Sequence, residues 1–250
     1  MTSPGSYGRK TSEPPEGSFE PTEVSRVKRL HKRGHYDRET VFKVLDAGLI
    51  AHIGYVIDGQ PFVTPTAYWR EGDMLYWHGS AASRMLEHVG EGIPCSVTVT
   101  HLDGLVLARS GFHHSINYRS VMAFGRAFFV EDPAGKMAAF EAFVERIFPG
   151  RWVELRPATK QEVKGTTVIG MKIEEASAKI RTGGPVDDDE DYALPIWAGV
   201  LPIRTVVGAA VPDEKMTPGI HQPAHLSIFQ PETEFDALMT RTAALPKAAE

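Results

Sequence analysis

Ile50-Ala51-His52-Ile53-Gly54-Tyr55-Val56-Ile57 and Gln60-Pro61-Phe62-Val63-Thr64-Pro65-Thr66-Ala67-Tyr68-Trp69 flank the dipeptide Asp58-Gly59. Both runs are rich in β-branched and aromatic side chains, and an Asp-Gly pair between such runs favours the positive φ angles of a two-residue hairpin turn. A second turn, Arg70-Glu71-Gly72-Asp73, leads into Met74-Leu75-Tyr76-Trp77-His78 and extends the hairpin to a meander. Outward from this centre, residues 95–101, 105–108, 120–130 and 166–173 have strand-like composition. Helical spacing appears behind Asp37, with Gly48 as a stop, again over 83–89, and again behind Asp132-Pro133, where Met137, Phe140, Val144 and Ile147 form one apolar stripe. Many short strands with a few inserted helices predict a mainly β fold, a closed antiparallel barrel with peripheral helices, because closure removes exposed edges.

The flanks differ in character. Residues 1–22 are rich in Ser, Pro, Gly and Glu and predict a flexible tail; residues 23–182 hold the barrel; residues 183–250 begin with Gly183-Gly184-Pro185 and the acidic run 187–191 and predict an arm packed on the barrel or on a partner. A formal net charge of −5 argues against nucleic acid as a partner. No stretch of 18 apolar residues and no secretory h-region occurs, and the lone Cys95 has no disulfide mate, so a cytoplasmic protein is expected.

Phosphate-loop, Rossmann, nucleophile-elbow and zincin motifs are absent, and no metal site is expected: Pro223 separates His221 from His225, and Lys28, Arg29, Lys32 and Arg33 crowd His31 and His35. The most informative chemistry lies in Tyr76-Trp77-His78-Gly79-Ser80-Ala81-Ala82-Ser83-Arg84-Met85-Leu86. A strand there ends in small residues and enters a helix, an arrangement that suits a phosphate through free N–H groups and the Arg84 guanidinium; equally, Ser83 is a helix cap and Arg84 a surface charge. His113-His114 sits in a stretch of polar and aromatic groups that reads either as a ligand wall or as a polar loop.

The stretch from Trp77 to Arg84 resembles the phosphate turn of the pyridoxamine 5′-phosphate oxidases, with Ser83-Arg84-Met85 in place of a Ser-Arg-Lys triplet. Asn117-Tyr118-Arg119-Ser120-Val121-Met122-Ala123-Phe124-Gly125 is similar to the strand that passes along the flavin there, with Ser120 where that family has Gln. Tyr36-Asp37-Arg38, residues 100–110, Phe112-His113-His114-Ser115, Pro149-Gly150-Arg151-Trp152 and Trp197-Ala198-Gly199-Val200 resemble a bacterial subgroup related to nitroimidazole-resistance proteins. The resemblance implies a split-barrel homodimer that binds flavin mononucleotide (FMN) in clefts at the subunit interface. It assigns Val63, Thr64, Pro65 and Thr66 to the edge of the ring, Trp77, His78, Gly79, Ser80, Ser83 and Arg84 to the phosphate turn, and Asn117, Arg119, Ser120 and Trp197 to further flavin contacts. An FMN-dependent oxidoreductase acting on a small molecule is implied, with His78 and His114 as candidate catalytic residues. No Arg-x-His follows residue 181, which argues against pyridoxamine phosphate as substrate. The alternatives are a non-catalytic flavin- or haem-binding protein, a deazaflavin-dependent reductase, or an unrelated barrel without cofactor.

Overall fold

The computed structural model describes residues 17–80, 88 and 91–245. Along the chain run β1 (Gly34–His35), α1 (Arg38–Asp46), β2 (Ile50–Ile57), β3 (Gln60–Glu71), β4 (Met74–Ser80), β5 (Glu91–Leu107), β6 (Ser115–Phe129), α2 (Pro133–Ile147), α3 (Lys160–Gly165), β7 (Thr166–Lys172), β8 (Glu175–Arg181), β9 (Gly199–Pro202) and α4 (Phe235–Ala244). The strands follow one another in the order β1-β8-β6-β7-β4-β3-β2-β5-β9, and a further β5–β6 pairing closes the six from β6 to β5 into a barrel. Asp58 and Gly59 both have positive φ, as the Asp-Gly turn predicts, and Ile57 faces Gln60 across it. Asp37 caps α1 by accepting from the Thr40 N–H at 2.7 Å, and Asp132 caps α2 with Pro133 in its first turn.

The barrel interior is filled by residues such as Ile53, Leu75, Trp77, Val97 and Met171, with α1 sealing one end through Val41, Phe42 and Leu45. A second, smaller core lies outside the barrel, where Ala139 and Ala142 of α2 cover Trp69, Tyr76 and Val168. The stripe Met137, Phe140, Val144 and Ile147 is therefore not the most deeply buried side of α2; all four are half-buried. Small alanines let the helix approach the sheet, so its larger residues are displaced to the flanks. Cys95 is free and buried, and burial pushes its thiol up to about 12, which makes it an inert apolar group.

Several expectations give way to tertiary structure. Phe19, within the stretch read as tail, is buried, packs edge-on against Phe42 and lies under the Arg38 guanidinium. Residues 95–101 and 105–107 belong to one strand, β5, which ends one residue before the expected Ala108, and Asp103-Gly104 is a bulge opposite β6 rather than a turn. β8 and β9 have no counterpart among the predicted strands. The arm is not all loop: β9 pairs with β5, α4 buries Leu238 and Met239, and Asp187 of the acidic run is buried against Arg109 at 2.9 Å.

Candidate functional site

The barrel splits between β3 and β4. These strands pair only from Tyr68–Trp77 to Glu71–Met74; beyond Tyr68, β3 stays with β2, whereas His78, Gly79 and Ser80 of β4 stay with Val168, Thr167 and Thr166 of β7. One edge of β3 from Gln60 to Ala67 thus carries no strand among the described residues. Residues flanking a two-residue turn form a hydrogen-bonded pair, so Gln60, Phe62, Thr64 and Thr66 bond to β2, and Pro61, Val63, Pro65 and Ala67 turn their backbone polar atoms to the open edge. Prolines at 61 and 65 remove alternate donors from that edge. No further strand can zip onto it, and the Val63 N–H stands between two bare carbonyl positions as a site for a planar hydrogen-bonding ligand.

Side chains frame this edge. Thr64 Oγ1 lies 3.0 Å from the Tyr55 hydroxyl, and Phe62 stacks on the Tyr55 ring at 5.7 Å, which fixes the inner face of β3. Trp77 is fully buried in the barrel core. His78 leaves β4 on the outer side, where its ring lies 5.0 Å from that of Phe140, 4.9 Å from Phe143 and 6.1 Å from Trp69. Burial lowers the His78 pKa below its usual 6.5, and Nδ1 meets no acceptor among the described residues. The imidazole is therefore neutral at pH 7. Ser83 and Arg84, with the helix expected at 83–89, lie outside the residues whose structure is described apart from the helical His88.

The remaining sequence-derived candidates gather elsewhere, on the halves of β5 and β6 beyond β2. Arg119 donates to Asp103 at 2.9 and 2.7 Å and to Asp236 of α4 at 2.8 Å, and Asn117 is buried, donating to the Gly183 carbonyl at 3.0 Å and accepting from Arg181. Both are spent on tying the arm to the barrel. Ser120 Oγ lies 3.3 Å from the Lys179 carbonyl, and His114 Nδ1 lies 2.9 Å from that of Ser110. Trp197, for which a core anchor and a flavin contact are the two expectations, is 65% exposed and belongs to neither core cluster among the described residues. Nearby, His113, Asp188 and Asp191 bring ligand atoms within 4.8 Å of one another, a grouping the sequence did not bring out.

His52 is not among the candidate site residues that the sequence motifs single out. It is exposed on the outer face of β2, opposite Pro65 on one side and Thr98 on the other, in line with Ile50 and Val56, which are exposed too. The available signal was a strand with apolar residues on both faces: Ile50 and Val56 point away from the barrel and need a cover.

Residues 37–180 match the family described as pyridoxamine 5′-phosphate oxidase, a stretch that runs from the α1 cap to the end of β8. The chain belongs to this family. Two solved structures extend the likeness beyond the barrel. The flavocytochrome Anf3 from Azotobacter vinelandii is 45% identical, with 86% of this chain and 99% of that one covered and a TM-score of 0.80. The FAD and haem binding protein from Mycobacterium smegmatis is 36% identical, with 80% and 98% covered and a TM-score of 0.76. No curated protein matches the chain.

His78 gives the oxidase-family barrel a testable pH dependence. An unfolded histidine takes a proton near pH 6.5, whereas the folded, buried ring takes one only at lower pH, so the unfolded state binds more protons in that window. The stability that neutral His78 contributes is complete above the unfolded value and is lost as pH falls toward the folded one. Thermal melts followed by circular dichroism should show a midpoint that drops below about pH 6.5 in the wild type and drops less in His78→Phe. Parallel pH profiles for the two proteins would show that His78 is not the group responsible.

Proposed function

We propose that this chain is a homodimeric flavin- and haem-binding redox protein, with the flavin in dinucleotide form. The observation that carries the reading is one hairpin that presents both the open edge of β3 and, on its outward face, exposed Ile50, Val56 and Val63 around His52, which pairs with Pro65 of that edge. The edge offers the Val63 N–H and the carbonyls of Pro61, Val63 and Pro65 to the polar rim of an isoalloxazine ring. On the outer face, Ile50, Val56 and Val63 give a flat apolar surface, and His52 has no hydrogen-bond or ion-pair partner among the described residues. That is the donor set a haem needs: an unengaged imidazole on an apolar surface. His101, His114 and His225 are committed to the Val44 carbonyl, the Ser110 carbonyl and Glu154. When bound, flavin and haem would supply electron-transfer chemistry, and the protein's part is to hold one along the free edge of β3 and the other on the outward face of the same hairpin. The likeness to a flavocytochrome and to a FAD and haem binding protein favours this reading over a small-molecule oxidase that uses FMN alone.

Dimerisation is part of the same proposal. Val186, Trp197, Val211 and Ile220 of the arm are exposed, as are Val63 on the barrel and Phe112 at the tip of the 110–114 loop, which is 99% exposed. Apolar surface of this extent marks an interface, and two copies related by a twofold axis cover each other's arm and barrel. No helix among the described residues is long and apolar enough to cross a membrane; with the buried, unpaired Cys95, a cytoplasmic dimer is the form proposed.

The absorbance spectrum of the purified protein should show both a flavin band and a Soret band, and sedimentation at micromolar concentration should show a dimer. Protein that carries neither chromophore and takes up neither on reconstitution would refute the reading.

A further inference from the structure

A cleft of about 1300 Å³ opens beside α2, between the 3₁₀ turn Trp152–Glu154 and α3. It begins where the split barrel ends: Thr166, which pairs with Ser80 at the last rung of the β4–β7 ladder, lies in its wall. Phe140 and Trp152 are its aromatic walls, while Lys136, Arg156, Lys160 and Lys164 are basic, against a single carboxylate among the described residues, Glu162. Glu162 is already held by Arg156 and by the N-cap of α3. Lys136 reaches the Thr166 carbonyl at 3.3 Å. Lys160 and Lys164 have no hydrogen-bond or ion-pair partner among the described residues, and their i, i+4 spacing places two like charges side by side on one helix face. A chain of net charge −5 thus holds a basic, aromatic-walled cleft whose lysine pair is left uncompensated.

We infer that this cleft receives the adenosine-phosphate half of FAD, with the adenine against Trp152 and Phe140 and the outer phosphate near Lys160 and Lys164. The inference rests on the flavin reading above and adds to it the feature that separates a dinucleotide from a mononucleotide. Flavin mononucleotide ends at its one phosphate, whereas the dinucleotide carries a second phosphate and a purine that need, respectively, cations and an aromatic surface, and the cleft at the end of β4 offers both. Met137 and Phe140, both half-buried on α2, line this cleft, and Phe140 is held in place from its other side by His78 and the outer core.

The test compares FAD and FMN binding by the flavin-stripped full chain, read by isothermal titration and by flavin fluorescence. Wild-type protein should bind FAD more tightly than FMN. The double charge reversal Lys160→Glu/Lys164→Glu should weaken FAD about ten- to a hundredfold and leave FMN within about twofold, because both lysines are exposed and engaged with nothing in the fold. Trp152→Ala should likewise weaken FAD alone. Equal losses for both flavins in the charge-reversed protein, or unchanged FAD binding there, would each overturn the inference while leaving the flavin reading intact; equal affinity of the wild type for both flavins would overturn the inference together with the dinucleotide form proposed above. Failure of the wild type to bind either flavin would instead defeat the flavin reading itself. Should the double reversal fail to fold, Lys164→Ala gives the same comparison with a smaller expected loss, and an unaltered FAD-to-FMN ratio there counts against the site.

Discussion

His52→Ala should leave the purified protein with its flavin band and without its Soret band. The side chain projects from the outer face of β2 into solvent, makes no hydrogen bond or ion pair with the described residues and supports no core, so its removal should cost the fold almost nothing. Its imidazole is nevertheless the polar donor in line with the exposed Ile50 and Val56 on the outward row of β2. Loss of a metal's direct ligand should lower haem affinity by more than the about ten- to hundredfold caused by losing an outer-shell partner. The flavin should stay, because the groups assigned to it are backbone atoms on the opposite edge of β3. His114→Ala is the control: that ring is engaged with the Ser110 carbonyl and should be dispensable for haem. An intact Soret band in His52→Ala would remove His52 from the proposal.

Trp77→Ala should destabilise the protein by about 3–5 kcal/mol, the usual cost of emptying a large aromatic site in a packed core. Trp77 has no solvent exposure and packs with Leu75, Ile169 and Met171 inside the barrel. For a chain of this size the loss corresponds to a fall of about 6–20 °C in thermal midpoint, a large part of the stability typical of globular proteins. Trp77→Phe should recover more than half of it, since the ring is kept and the Nε1 it removes has no acceptor among the described residues. The pair also separates a core role from the flavin contact implied by family resemblance. If Trp77→Phe stays folded yet loses flavin, the ring serves the flavin as well as the core; if Trp77→Ala melts within about 2 °C of the wild type, the energetic core role is wrong.

Which candidates come together depends on distances along the chain. Val63 to Thr66 and His78 to Ser80 are separated by short turns, and local turn chemistry suffices to place them at one fork. Arg119 is different. Its partner Asp236 lies 117 residues away on a helix that no sequence signal linked to β6, so the arginine reads as an available cation in the sequence and is a fully bonded tie in the fold. Trp197 errs in the opposite direction: its size suggests a core anchor, but the barrel and α4 already supply the core, and the ring is left for a ligand or a second subunit.

Elements whose signals are local can be read from neighbouring residues alone. Alternating β-branched and aromatic residues around Asp58-Gly59 specify the β2–β3 hairpin, Asp37 and Asp132 start their helices, and the barrel class follows from the succession of strands. The remaining features depend on long-range pairing. Glu175-Ala176-Ser177-Ala178-Lys179-Ile180-Arg181 has weak strand character, and it becomes β8 because β6 presents an unpaired edge and the two alanines fit the interior. Asp103-Gly104 carries turn chemistry, yet the long ladder with β6 holds it straight apart from a bulge, and the missing Cβ of Gly104 lets β9 pass where a side-chain carbon would lie 3.1 Å from the Leu201 carbonyl. The fork between β3 and β4, the uncovered face around His52 and the basic cleft beside α2 all arise where the whole sheet closes before every edge and face has been matched. That mismatch depends on pairings between segments far apart in the chain, which no short stretch of sequence encodes.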